Sequence, residues 1–338
     1  MTPDDRKIRL GHGSGGKLTR ALVNEVFVDR LSNPMLAELD DSAKLESGGG
    51  RLAFTTDGFV VTPYIFPGGD IGKLSVCGTV NDLAVAGAEP KYLSYSLIIE
   101  EGFSLADLER IVDSTASACE EAGVKIVTGD TKVVARGNAD GIFVTTAGVG
   151  VLPDNLSLGV RTIQPGDVVL INGGIGEHAV SVLLARNEFQ VAAEVLSDCA
   201  PLNSLTCAVL KAGQQVRFMR DATRGGLATV LAEIAIGADV AIEIDEDSVP
   251  IRPEVRSVCD LLGFDPLYLA NEGKLVVIVA QDGAEQVLSA MRATKYGAES
   301  AIIGRVIGKP QGKVLLRTEA GGTRVIDMLV ADQLPRIC

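Results

Sequence analysis

The sequence predicts a mixed α/β protein made of two domains and a short tail. Three observations carry that expectation. Strand-like and helix-like segments alternate along the 338 residues. The alternation breaks at Leu152-Pro-Asp-Asn155. After the break it becomes a clearer strand–helix succession. The domains expected are residues 1–152 and 153–320, followed by a mobile tail over 321–338. A hinge is expected at Gly321-Gly322, because paired glycines cost backbone order, or just after Leu329.

In the first domain, Leu93 to Ile99 alternates at period two and predicts a half-buried strand. Residues 104–122 predict a helix, with Leu105, Leu108, Ile111, Val112 and Cys119 at helical spacing. Ser104 with Asp107 resembles a capping box, and Gly123 stands where a C-cap glycine belongs. Strands follow over 124–128 and 141–151. In the second domain, strands are expected over 167–171, 216–219, 275–280 and 301–306. Helices are expected over 177–186, 227–236 and 284–291.

Composition narrows the function classes. The net charge of −13, from 44 acids against 31 bases, opposes nucleic acid and anionic membrane surfaces as partners. No run of 18 apolar residues suggests a membrane span, and the first residues lack a signal-peptide pattern. A cytoplasmic location is expected. The six cysteines include no CxxC pair, and there are only two histidines, so a zinc site is not expected. Cys77, Cys119, Cys199, Cys207 and Cys259 fall within expected elements and read as small core hydrophobes. Cys338 does not, since it is the final residue of the sequence.

Carboxylates recur at strand ends beside small residues: Asp40-Asp41, Asp57 before Gly58, Asp82 in Thr79-Val-Asn-Asp82, Asp130 after Gly129, and Asp221 before Ala-Thr-Arg-Gly-Gly226. Such aspartates either make turns or converge on a crevice where Mg²⁺ is shared with phosphate oxygens. The loop Gly11 to Lys17 fits GxxxxGK, yet Leu18 stands where a P-loop needs a hydroxyl. It reads as a lid whose amides and Lys17 meet phosphate, or as a linker. Asn172 to Gly176 opens a helix and offers a weak anion site. His178, inside that helix, reads as a packed or surface residue rather than a catalyst.

These motifs resemble the family of AIR synthetase, selenophosphate synthetase and thiamine-monophosphate kinase. The resemblance rests on Asp41 in DDSA, Asp57 in TTDG, Asp82 in TVNDLA and Asp130 in TGDTK. The segments 55–63, 66–72, 219–226 and 270–274, with the tail Leu334-Pro-Arg-Ile-Cys338, are similar to that family's carbamoyl dehydratase branch, which serves hydrogenase maturation. The resemblance implies a PurM-like fold, with an N-terminal sheet that pairs across a homodimer into a barrel and a C-terminal α/β domain. It implies ATP and Mg²⁺ as cofactors, and Cys338 as a carrier thiol. HypF would load that thiol with a carbamoyl group, ATP would drive its dehydration to a thiocyanate, and the HypC–HypD complex would receive the cyanide. Asp41, Asp57, Asp82, Asp130 and Asp221 are then expected as metal ligands. Thr79, Asn81, Gly129 and Lys17 join Asp41, Asp57, Asp82 and Asp130 as nucleotide contacts.

That chemistry also calls for a base on the carbamoyl nitrogen and a cation near its oxygen. Glu272, a polar interruption between Ala270 and the strand from Leu275, is the candidate base. Lys132 is the candidate cation. A small-molecule kinase or ligase of the same superfamily is the alternative, since it shares the aspartates and has no use for Cys338.

Overall fold

A computed structural model describes residues 16–24, 42–47, 50–186, 193–213 and 215–329, together with Leu334, Ile337 and Cys338. Asp41, most of the Gly11–Lys17 loop, and Pro335 and Arg336 of the tail lie outside the described residues.

The first sheet contains β1 (Ala43–Ser47), β2 (Gly50–Phe59), β5 (Glu89–Glu100), β6 (Lys125–Val134) and β7 (Ile142–Leu152), in the order β1-β2-β7-β5-β6. A small hairpin, β3 (Ile65–Phe66) and β4 (Gly69–Asp70), leads into helix α2 (Ile71–Val85). Among these pairs only β5–β6 is parallel, as its crossover through helix α3 (Leu105–Ala122) requires. Helix α1 (Lys17–Leu22) precedes them all.

Helix α3 forms as its sequence predicts. Ser104 Oγ accepts the Asp107 amide, and Gly123 closes the helix in the left-handed conformation. Helix α2 was not foreseen. All of its fifteen residues but Lys73 and Asp82 are buried, so it has no polar face to reveal its period. Asp70 caps it by accepting the amides of Gly72 and Lys73 at 2.9 and 3.0 Å. It lies on the inner face of the first sheet and carries Thr79 and Asp82.

The second sheet runs β14-β13-β10-β12-β8-β11-β9. Its strands are β8 (Val168–Ile171), β9 (Val216–Asp221), β10 (Ala241–Asp245), β11 (Leu275–Val279), β12 (Ala301–Ile307), β13 (Lys313–Arg317) and β14 (Thr323–Ile326). Helices α4 (Glu177–Ala185), α5 (Asn203–Ala212), α6 (Gly226–Ala238), α7 (Pro253–Leu262) and α8 (Ala284–Arg292) cover it. The whole of β11, Leu275 to Val279, is buried, as suits a central strand.

The expected hinge at Gly321-Gly322 meets a different structure. The two glycines turn a hairpin in which β14 pairs with β13, and the Thr318 and Gly321 amides bond across the turn. Residues 323–326 are therefore part of the second sheet, and the chain leaves it only afterwards.

A core cluster bridges the two halves. Phe59, Phe66, Ile71, Leu74 and Cys77 from the first meet Val180, Val182, Val255, Val258 and Leu269 from the second. Leu334 and Ile337 complete it, with Cys338 packed at its margin. No described helix is long and apolar enough to cross a membrane.

Candidate active site

The site begins where β2 meets α2. Residues two apart on a strand share a face, so Thr55 and Asp57 both point at α2. Residues three apart on a helix are neighbours, so Thr79 and Asp82 both point back. The four interlock. Thr79 Oγ1 donates to Asp57 Oδ2 at 2.9 Å, and Thr55 Oγ1 donates to Asp82 Oδ2 at 2.7 Å. Thr146 of β7 lies against Thr79 at 2.5 Å. Burial pushes the Asp57 carboxyl up, against the opposing pull of Thr79 and Arg224.

The second wall is the loop before β11. Asn271 donates to the Ala222 carbonyl at 2.7 Å and accepts the Gly176 amide at 2.7 Å, so that helix N-terminus is already partnered. Asp198 accepts the backbone amides of Glu272 and Gly273 at 3.1 and 3.2 Å, and Lys274 stands 3.5 Å from it. Gly273 is required here, since a Cβ would fall 1.9 Å from the Asp198 carbonyl oxygen. The loop therefore holds Glu272 buried, with Oε1 unpartnered. Burial raises its carboxyl well above the ordinary range, and Cys199, Asp198 and Asp221 push the same way, while Arg224 opposes them. Asp221 is buried at the end of β9.

Asn81, expected on the nucleotide, is committed elsewhere. Its amide donates to the Ala200 and Glu272 carbonyls and accepts the Leu202 amide at 2.7 Å. It ties the first wall to the second. Gly129 lets β6 approach β5, because a Cβ there would fall 2.3 Å from the Tyr95 carbonyl oxygen. Lys17 pairs with Asp327 at 2.7 Å, and its amide donates to the Leu329 carbonyl.

Asp130 and Lys132 stand apart from these walls. They pair with each other at 2.7 Å on the exposed strand β6, and Lys132 with the Thr131 amide holds Asp130 below the usual carboxylate range. Asp57 faces Thr146, Thr146 faces Tyr95 and Tyr95 faces Gly129 across the sheet. Asp130, the next residue, points to the opposite face. Three strand spacings separate it from Asp57 by roughly 14 Å. One ion cannot bridge that gap, so Asp57 and Asp130 of a single chain do not form one cluster. Among the described residues no three His, Cys, Asp or Glu side chains are grouped to hold a metal.

The tail enters the same region. Ile337 is buried, and its carbonyl lies 2.8 Å from His178 Nε2. Sequence reasoning did not single out Asp198 or Arg224, and it left His178 as a packed or surface residue, of which the structure shows the packed one. Arg224 was visible only inside its motif, and Asp198 and His178 carried no motif at all.

The first half thus sets Asp57 on a strand and Asp82 on a core helix, and the second half supplies a loop with a buried glutamate, tied to that helix through Asn81. The chain matches the AIR synthase related protein N-terminal domain over residues 39–152 and its C-terminal domain over 164–317. It is 51% identical over 341 residues to carbamoyl dehydratase HypE of Rhodobacter capsulatus, covering 100% of both chains. A solved HypE in complex with ATP is 44% identical, with a TM-score of 0.82, over 98% of this chain and 100% of that one. A HypE–HypF complex is 46% identical with a TM-score of 0.87, over 91% and 100%. The chain belongs to the HypE carbamoyl dehydratase family, within the PurM-like superfamily.

Proposed function

We propose that this chain dehydrates a carbamoyl group carried on Cys338 to a thiocyanate at the expense of ATP, for the iron of [NiFe]-hydrogenase. The observation that carries the reading is the position of the tail. Ile337 is buried in the cluster that contains Leu269 and Ala270, just before Glu272, and Cys338 lies at its edge.

The reaction balances as follows. The thiocarboxamide oxygen attacks the γ-phosphorus of ATP, and ADP leaves. One nitrogen proton passes to water as the phosphorylated imidate forms, a base removes the second, the C–O bond breaks and inorganic phosphate departs, leaving S–C≡N. Glu272 is the base. Burial raises its pKa above the ordinary carboxylate range, which strengthens it as a proton acceptor once ionised. Asp57 and Asp82 offer hard oxygen donors on one wall, which suits an ion bound by one or two carboxylates plus phosphate. They would hold Mg²⁺, which neutralises phosphoryl charge when bound. Asp221 is the further candidate ligand, from the opposite wall. Thr79 and Thr55 orient the two carboxylates, and Asn81 supports the site by joining its walls.

Asp130, Lys132 and Gly129 serve through a second copy of the chain. The outer face of the first sheet exposes Phe54, Tyr92, Ile98 and Val151 beside them, and an apolar patch of this kind favours homodimerisation. In a dimer, β6 can present Asp130 and Lys132 to the partner's walls. Lys17 and Asp41 border the nucleotide in this reading.

HypF supplies the carbamoyl group and the HypC–HypD complex takes the cyanide, in the cytoplasm. Burying Leu334 and Ile337 contributes roughly 1.5–3 kcal/mol each. Ordering chain costs about 1–2 kcal/mol per residue. The balance lets the tail dock and leave.

Intact-mass measurement after incubation with HypF, carbamoyl phosphate and ATP tests the proposal. Addition of a carbamoyl group on Cys338, then loss of one water dependent on ATP, is the expected sequence. A modified small molecule with an unchanged chain would instead select the kinase or ligase alternative.

A further inference from the structure

His178 sits wholly inside the protein, yet it makes two specific polar contacts. Nε2 lies 2.8 Å from the Ile337 carbonyl and Nδ1 lies 2.8 Å from Ser197 Oγ. A carbonyl only accepts, so Nε2 carries the proton. Nδ1 then accepts from the Ser197 hydroxyl, whose oxygen in turn accepts the Cys199 amide at 3.1 Å. Every group in the chain has its role fixed, and burial holds the imidazole below its ordinary pKa and therefore neutral. The ring edge also packs on Phe66, centroids 5.3 Å apart and nearly perpendicular. The Ser197 amide donates to the Pro67 carbonyl, which fixes the relay to the first domain.

The three residues Ser197-Asp198-Cys199 face two ways. Ser197 holds the imidazole that meets the tail. Asp198 holds the amides of Glu272 and Gly273, and the Cys199 thiol bears on the Glu272 carboxyl. One short, hydrogen-bonded segment thus links the Ile337–Cys338 peptide to the loop that carries the candidate base.

We infer that His178 is a positioning residue: its Nε2–H latches the Ile337 carbonyl and, through Ser197, sets Cys338 in register with Glu272. It takes no proton in the reaction. Its loss leaves the tail free to leave the cleft more often, which favours loading and disfavours dehydration. The consequence for catalysis rests on the proposed role of Cys338, while the latch itself does not.

Alkylation of the full chain by iodoacetamide, read by peptide mass, tests the latch without ATP or a carbamoyl donor, so its failure is separate from failure of the dehydratase reading. In His178→Leu the Cys338 rate should rise roughly two- to ten-fold, the range one hydrogen bond spans. His178→Gln, which keeps an amide donor near the Nε2 position, should return it towards the wild-type rate. Cys77, Cys199 and Cys259 are buried and report whether the body stays folded. An unchanged Cys338 rate with those three still protected overturns the latch, and so does a Gln variant as fast as Leu. Should His178→Leu expose the buried cysteines, a semisynthetic chain with an ester at the Ile337–Cys338 bond decides the matter. It weakens the carbonyl acceptor and leaves the body intact, so faster alkylation than wild type supports the latch and an equal rate overturns it. With a preloaded tail, His178→Leu should slow single-turnover dehydration without changing ATP affinity, and Gln should restore it.

Discussion

The inner and outer faces of the first sheet carry the same chemical groups under opposite conditions. Inside, Asp57 and Asp82 are held by threonines where β2 meets a core helix, and Glu272 is buried on the loop that faces that helix. Outside, Asp130 and Lys132 form an ion pair open to solvent on an edge strand. Burial raises the pKa of the inner carboxyls Asp57 and Glu272, whereas pairing lowers that of Asp130. The difference teaches that burial biases the inner carboxyls towards their protonated form, while pairing biases the outer one towards its ionised form. The outer pair is a charge in need of a surface, and solvent screening leaves it little influence on its own stability.

The largest effect should come from the inner face. Glu272→Gln keeps the shape and removes the proposed base, so dehydration of a preloaded tail should fall by about 10²–10⁴-fold while ATP binding persists. Single-turnover mass measurement reads the first and calorimetric titration the second. Equal turnover by the variant would remove Glu272 from the chemistry and weaken the contrast between the faces.

The outer face should respond differently. Lys132→Ala and Asp130→Ala should lower turnover while leaving the melting temperature within about a degree or two, because exposed ion pairs contribute little to stability. Ile98→Asp, on the same face, should split the proposed dimer in light scattering and lower turnover with it. If Ile98→Asp gave a fully active monomer, the outer face would have no part in the site.

The legibility of the sequence follows the same division. Amphipathic α3, its Ser104 cap and Gly123 stop were readable, because each leaves a local mark. Helix α2 was not, since burial on every side erases its period. The acidic motifs drew attention to Asp57 and Asp82, and a carrier role for the terminal thiol came only from the family resemblance. Their separation from Asp130 was invisible, because face and register are set by strand pairing rather than by spacing. Asp198 and His178 act through backbone groups brought together from distant segments, and such contacts leave no motif. Asn81 was expected on the nucleotide only through the family resemblance, and the backbone carbonyls it bonds to lie about 120 and 190 residues away along the chain, which no local motif reveals.

Asn81 gives a smaller prediction. Asn81→Ala leaves the buried Leu202 amide and Ala200 carbonyl without their partner, which costs about 1–3 kcal/mol. A urea midpoint should fall accordingly. Loss of ATP affinity with no loss of stability would restore Asn81 to the nucleotide.

The smallest effect is a pH slope. Glu272 keeps its proton in the folded chain above the pH at which the unfolded chain releases it. In that window the unfolded state binds fewer protons, so stability declines as pH rises. The contribution is complete below the ordinary carboxylate range and is lost as pH climbs through the raised value. Asp57 is raised by burial as well and adds to the same slope. Glu272→Gln should therefore flatten, without abolishing, the fall in urea midpoint from acid to neutral pH. Asp130→Asn, whose parent carboxyl is shifted downward instead, should leave that fall unchanged, which is the sharpest available contrast between the two faces. Turnover should move the other way from stability and rise with pH, because the base works only once it has lost the proton that folding retains.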